Sequence, residues 1–167
     1  CRFGARPESL DIVLIQMVRL VENGQEVKMS KRTGNAVTIR ELREDIGNDA
    51  TRYFFVERAV DTHIGFRLGL ARSQTSDNPV FYAQYAHARI CSVLRQAPEV
   101  QPRETYDLLG SEKETALLKH IAAFTDTVAD AAATYAPNKI CNYVQKLAQY
   151  FHSFYGAHKF WATKMPS

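Results

Sequence analysis

From Ile12 to Val21 the chain is almost continuously β-branched or apolar (Ile12, Val13, Leu14, Ile15, Met17, Val18, Leu20, Val21), which predicts a largely buried strand. The run ends at Glu22-Asn23-Gly24-Gln25. Asn-Gly between two strand-like stretches is the strongest short-range hairpin signal, because both turn residues must take positive φ and these two do so cheaply. A return strand from Glu26 to Met29 then delivers Lys28-Met29-Ser30-Lys31-Arg32 to the exit of the hairpin, and Thr33-Gly34-Asn35 continues it as a polar loop.

Beyond this loop the period changes from two to about 3.6 residues. Thr38-Ile39-Arg40-Glu41 is a capping box that opens a short helix ending near Gly47, and Asp49 caps a second helix through about Val60. Asp77-Asn78-Pro79 joins a capping side chain to a proline at the first helical position, where its missing N–H is no loss. The helix it opens is predicted to reach Gln96 and to carry Val80, Ala83, His87, Ile90 and Leu94 on its apolar stripe, with His87 a hydrogen-bonded interior histidine.

The stretch from Ala97 to Gly110, with Pro98 and Pro102, reads as a linker. Ser111-Glu112-Lys113-Glu114 is a second capping box, followed by Leu117, Ile121, Phe124, Val128 and Tyr135 at mostly helical spacing. Pro137 starts a last helix with Ile140, Val144, Leu147, Phe151 and Phe154 as its stripe. The fold class is mainly α: an antiparallel helical bundle preceded by a short β-hairpin and helix.

Composition narrows the partners only slightly. In 167 residues, 21 Lys and Arg face 18 Asp and Glu, so the net charge of +3 argues against bulk polyanion binding but permits a local basic surface. Cys1, Cys91 and Cys141 form no CxxC pair, which points away from a zinc site or disulfide framework and toward a reducing cytosol. No run approaches the roughly 20 apolar residues of a membrane span, and no signal segment opens the chain, so the expected location is the cytoplasm.

Two segments carry candidate chemistry. Lys28-Met29-Ser30-Lys31-Arg32 puts three cations and a hydroxyl within five residues of a loop. Composition alone leaves it open between a solvated turn and a polyphosphate loop whose cations neutralise charge on a leaving pyrophosphate. Tyr82, Tyr85 and Arg89 recur at spacings of three and four, so two rings and a guanidinium share one helix face. Such a face either packs in a core or stacks unpaired bases and pairs with phosphate.

The motif Lys28-Met29-Ser30-Lys31-Arg32-Thr33-Gly34-Asn35 resembles the KMSKS signature of class I aminoacyl-tRNA synthetases, with Arg32 in place of the final serine. Tyr82-Ala83-Gln84-Tyr85-Ala86-His87-Ala88-Arg89 resembles the start of the anticodon-binding helical domain of arginyl-tRNA synthetases, and Gly47-Asn48-Asp49-Ala50-Thr51-Arg52-Tyr53-Phe54 is similar to the region that links the two domains in that family. The matches stand in the family's order and cover the chain from about Leu10 to Tyr155. His63-Ile64-Gly65-Phe66 imitates the HIGH signature but follows the KMSKS-like loop instead of preceding it, so it is read as the connection entering the bundle. Phe66-Arg67-Leu68-Gly69 departs from the acidic stretch common there in the family.

The resemblance implies a division into the end of a nucleotide-binding catalytic domain (1–48), a connecting helical region (49–76) and an incomplete anticodon-binding bundle (77–167). It implies ATP-dependent attachment of arginine to tRNA(Arg), with Lys28 and Lys31 catalytic and Lys28, Met29, Ser30, Lys31 and Arg32 against ATP. ATP would bring Mg2+, with no dedicated metal site in this chain. Tyr82, Tyr85 and Arg89 become tRNA contacts. The parent is expected to be a monomeric cytoplasmic ligase, and the chain alone, lacking HIGH and an arginine pocket, an inactive fragment. The alternatives are a non-catalytic tRNA-binding module, or a piece of a cysteinyl- or methionyl-type synthetase.

Overall fold

A computed structural model describes residues 10–27, 37–97, 105 and 107–158. Strand β1 (Val18–Glu22) sits between β2 (Gln25–Glu26), which is antiparallel to it, and β3 (Ile64–Arg67), which is parallel. Asn23 and Gly24 both take positive φ, 50° and 78°, so the predicted two-residue turn forms, and Val27 N–H continues the pairing to Leu20 O at 2.8 Å. The strand is shorter than its apolar run. Residues 12–17 lie outside it with Leu14 84% exposed, because β3 begins opposite Val18 and β2 opposite Val21, and among the described residues only the Gln16 N–H bond to Val60 O (2.9 Å) precedes them.

The capping box at Thr38 is complete: Glu41 N–H donates to Thr38 Oγ1 (3.2 Å), and Thr38 N–H donates to the Glu41 carboxylate (2.6 Å). It opens α1 (Ile39–Val56), which breaks at Gly47 as expected, since φ there is 83° and glycine adopts it without strain. The second part ends at Val56, four residues before the sequence reading placed it. A five-residue helix, α2 (Leu68–Arg72), follows β3 directly.

These elements enclose one core of Leu20, Leu42, Ala50, Phe54, Phe66, Leu68, Ala71 and Val80, in which Phe66 is 1% exposed and tilts against Phe54 and Phe55. Arg72 clasps the rim, donating to Asp45 through Nε (2.9 Å) and Nη2 (2.6 Å) and to Glu22 through Nη1 (2.7 Å). One side chain thus ties α2 to both α1 and β1.

Helices α3 (Pro79–Gln96), α4 (Glu112–Ala122), α5 (Phe124–Ala133) and α6 (Asn138–Ala157) form the bundle. Contacts of Tyr82 with His152 and Arg89 with Tyr155 run α3 in the direction of α6, whereas those of Glu114 with His158 and Asp130 with Lys139 run α4 and α5 against it. The bundle is therefore up-down-up, with α6 in the middle.

Two predicted stripes are corrected. The helix opened by Ser111 is not continuous, because it breaks at Ala123, and α5 stops at Ala133, which leaves Tyr135 beyond it at φ 51°. Ile121, Phe124, Val128 and Tyr135 stay exposed, while Ala131 is the buried residue of α5. On α3, Val80 is buried and Ala83 half-buried as the stripe predicts, but His87, Ile90 and Leu94 face outward (Leu94 68% exposed), and Ala86 is buried in their place. Helix α3 carries apolar residues around most of its circumference, so its composition does not determine which side meets α6. The α6 stripe is nearer the expectation, with Phe151 buried and Ile140, Val144, Leu147 and Phe154 half-buried, joined by Cys141, Tyr143 and Ala148.

Candidate nucleic-acid interface

The side chain that starts α3 also positions it. Asn78 accepts from Val80 N–H (3.0 Å) as N-cap and donates to the carbonyls of Ala71 (3.2 Å) and Ser73 (2.7 Å) at the end of α2. It is 4% exposed. From the bundle side, Gln145 of α6 donates to Pro79 O (2.7 Å), and Gln84 donates to Asp49 of α1 (3.0 Å). The first turns of α3 are thereby held by amide groups from both directions.

Along α3, Tyr82, Ala86 and Arg89 turn toward α6, where Ala148 and Phe151 complete a second core with Tyr82, Phe154 and Tyr155. Tyr82 packs on His152 with centroids 4.9 Å apart, and Tyr85 stacks on His152 (5.5 Å, 27°) and lies nearly parallel to Phe81 (6.4 Å, 14°). The Arg89 guanidinium lies 5.2 Å from the Tyr85 ring and 4.7 Å from that of Tyr155, and its Nη2 donates to the Tyr85 hydroxyl (2.5 Å). The structure brings all three candidate residues together at the α3–α6 seam: Tyr82 is half-buried, and Tyr85 remains 44% exposed.

The electrostatics of this seam are lopsided. Among the described residues, the partners of Arg89 are aromatic, and its buried Nε has no acceptor. Burial, and then the nearby Arg89 charge, push the His152 imidazole below its usual range, so it is neutral at pH 7, and its Nε2 is likewise buried without a partner. The result is one guanidinium charge beside a slot of about 250 Å3 lined by Ser76, Phe81, Tyr82, Tyr85 and His152. A flat ring can stack there, and an anionic group can meet Arg89.

Phe81, His152 and Tyr155 are members of this seam that sequence reasoning missed. The spacing from Phe81 to Tyr85 was a usable signal. His152 and Tyr155 lie some 70 residues further along the chain, where nothing local connects them to α3. His87 is not interior: it is exposed, with Nε2 3.6 Å from Cys91 Sγ. Lys28, Met29, Ser30, Lys31 and Arg32 lie outside the described residues. Among the described residues no three His, Cys, Asp or Glu side chains gather into a metal-binding group, and no helix is long and apolar enough to cross a membrane.

Comparison with known proteins places this geometry. Residues 83–166 match the model of the DALR anticodon binding domain. The chain is 50% identical over 161 residues to arginine–tRNA ligases of Staphylococcus epidermidis and Staphylococcus aureus, matching 94% of its own length and 29% of theirs. It therefore spans less than a third of these curated relatives. A crystal structure assigned as a Campylobacter jejuni arginyl-tRNA synthetase superposes with a TM-score of 0.79 at 34% identity, covering 91% of this chain and 34% of that one. Thermus thermophilus arginyl-tRNA synthetase gives 0.67 at 25% identity, covering 84% of this chain and 26% of its own.

Proposed function

Because the chain belongs to the family of DALR anticodon binding domains, we propose that residues 77–167 hold the anticodon arm of tRNA(Arg) as part of a monomeric, cytoplasmic arginine–tRNA ligase. Residues 1–48 close its nucleotide-binding domain and 49–76 connect the two. The observation that carries this reading is the Arg89 guanidinium, held between the rings of Tyr85 and Tyr155 without a carboxylate partner among the described residues. A cation kept beside stacked rings and not neutralised by protein suits a ligand that is both aromatic and anionic, as an unpaired nucleotide is. Tyr82 and Tyr85 offer ring surface, and Arg89 offers charge.

In the ligase, the arginine carboxylate attacks the α-phosphate of ATP and pyrophosphate leaves; a terminal ribose hydroxyl of the tRNA then takes the arginyl group and releases AMP. Lys28 and Lys31 stabilise the charge that builds on the leaving phosphates, and Met29, Ser30 and Arg32 complete the loop around them. Mg2+ travels with ATP. The chain alone binds tRNA and does not charge it.

The test is a titration of this chain with tRNA(Arg) over a series of salt concentrations. Arg89→Ala is expected to weaken binding about tenfold, the equivalent of roughly 1.4 kcal/mol, and to flatten the salt dependence by about one phosphate contact. Unchanged affinity in the variant, or wild-type binding insensitive to salt, defeats the assignment.

A further inference from the structure

Two nitrogens at the α3–α6 seam are buried without partners, Arg89 Nε and His152 Nε2. Buried polar atoms of native proteins are nearly always paired, so each marks a place left for something else to complete. Both side chains meet the same ring. Tyr85 stacks on His152 with centroids 5.5 Å apart and 27° between the planes, and the Arg89 guanidinium lies 5.2 Å from the Tyr85 centroid and donates to the Tyr85 hydroxyl. A group that holds a permanent charge and a group that can gain one therefore share one wall of the slot.

We infer that this seam takes up a proton with its ligand: an anionic nucleotide that meets Arg89 is held more tightly when His152 is protonated, so RNA binding strengthens as pH falls from 7.5 toward 5.5. This rests on the reading of the seam as the tRNA contact and adds to it the protonation state of a residue on α6.

The free seam disfavours that proton on two counts. Burial penalises a charged imidazole first, and the Arg89 charge adds repulsion; a hydrogen bond with the Tyr82 backbone opposes both without cancelling them. A phosphate beside Arg89 reverses the second count, because it supplies the negative charge that the neighbouring rings do not. It adds little to the first, since Nε2 is out of water before any ligand arrives. The balance therefore moves toward the imidazolium, and protonation also makes the orphaned Nε2 a donor that an anion can satisfy. By reciprocity, a ligand that favours the proton is favoured by it.

Among the described residues, Arg89 is the charge that acts on this imidazole. The titratable side chains facing it from α3 are Tyr82 and Tyr85, and on α6 itself Tyr155 lies against Arg89. The other elements meet α6 elsewhere: α4 through His120 on Tyr143 and Glu114 on His158, α5 through Asp130 on Lys139, and α1 through Tyr53 and Glu57 beside Cys141. Acid that reaches those groups does so away from the slot.

The experiment follows the His152 imidazole of this chain by its proton resonances, with and without the isolated anticodon stem-loop of tRNA(Arg), and titrates the same stem-loop at pH 7.5 and 5.5 at fixed salt. The midpoint is expected to lie below the ordinary histidine range in the free chain and to move up in the complex. The dissociation constant is expected to fall at least about threefold between the two pH values, within the limit of about tenfold per pH unit that one proton allows. His152→Gln and His152→Phe remove the titrating group, the second keeping a ring in the stack, and whichever melts like wild type by circular dichroism should lose this pH dependence. A midpoint that stays or falls on binding, or a pH dependence that survives in both variants, overturns the coupling. If the wild-type chain binds the stem-loop equally at both pH values, only the coupling falls; if it binds at neither, the tRNA reading falls with it.

Discussion

Asn78→Ala is the sharpest test of how the two cores are joined. The substitution removes the acceptor that caps α3 and the donor that satisfies the Ala71 and Ser73 carbonyls, at a position only 4% exposed. Losing the cap costs about 1 kcal/mol and each lost carbonyl bond about 1 more, for a total of about 3 kcal/mol. For a chain of this size that is a fall of roughly 6–12 °C in Tm, measurable by urea or thermal unfolding with the m-value unchanged. Two further variants separate the contributions. Asn78→Ser keeps a capping oxygen and should recover about 1 kcal/mol of the loss. Asn78→Asp keeps the cap but sets a buried carboxylate against two carbonyl oxygens, so it should be no more stable than Asn78→Ala at pH 7 and should improve in acid as the carboxyl regains a proton to donate. An Asn78→Ala midpoint within experimental error of wild type, or an Asn78→Asp protein as stable as wild type at pH 7, would refute the reasoning.

Three other outcomes follow from the same structure. Burial raises the Glu57 carboxyl above its ordinary value against the pull of Arg58 and Arg67. Its favourable contribution is complete below about pH 4.5 and is lost as pH rises through the raised pKa, so Glu57→Gln should be more stable than wild type at pH 7, with the gap closing in acid; a gap of constant size across that range contradicts this. Burial pushes Tyr53 up to about 12, so the unfolded chain loses this proton first and stability should fall between pH 10 and 12, a component that Tyr53→Phe removes from the alkaline unfolding curve. In the ligase, Lys28→Ala should lower the adenylation rate constant far more than it raises the ATP dissociation constant, as single-turnover kinetics would read; the reverse pattern makes the lysine a ground-state binder.

The seam between α3 and α6 shows why interfaces between elements are hard to read from a chain. Tyr82, Tyr85 and Arg89 were legible because helical spacing puts them on one side of one helix. Their partners Phe81, His152 and Tyr155 were not, since which face of α3 meets α6 depends on how the two surfaces fit. The same dependence explains the misplaced stripes. Ala83, His87, Ile90 and Leu94 repeat as regularly as Tyr82, Ala86 and Arg89, and periodicity cannot rank two faces of similar apolar content.

What the amino-acid sequence determined by itself was local: the Asn23-Gly24 turn, both capping boxes, the Asn78-Pro79 start and the break at Gly47. Each depends on the backbone chemistry of a few neighbouring residues, so no distant contact is needed to decide it. Tertiary structure decided the rest. Strand β3 exists because Ile64–Arg67 lies beside β1, a parallel pairing between segments more than 40 residues apart. The apolar run at 12–17 stays outside the strand because β3 begins opposite Val18 and, among the described residues, only the Gln16 N–H bond to Val60 O precedes that pairing. Arg89 meets no carboxylate among the described residues because α6 offers it rings and carries no Asp or Glu. The physical reason is common to all three: burial, pairing and charge compensation belong to pairs of surfaces, and the sequence specifies each surface without stating which one it will meet.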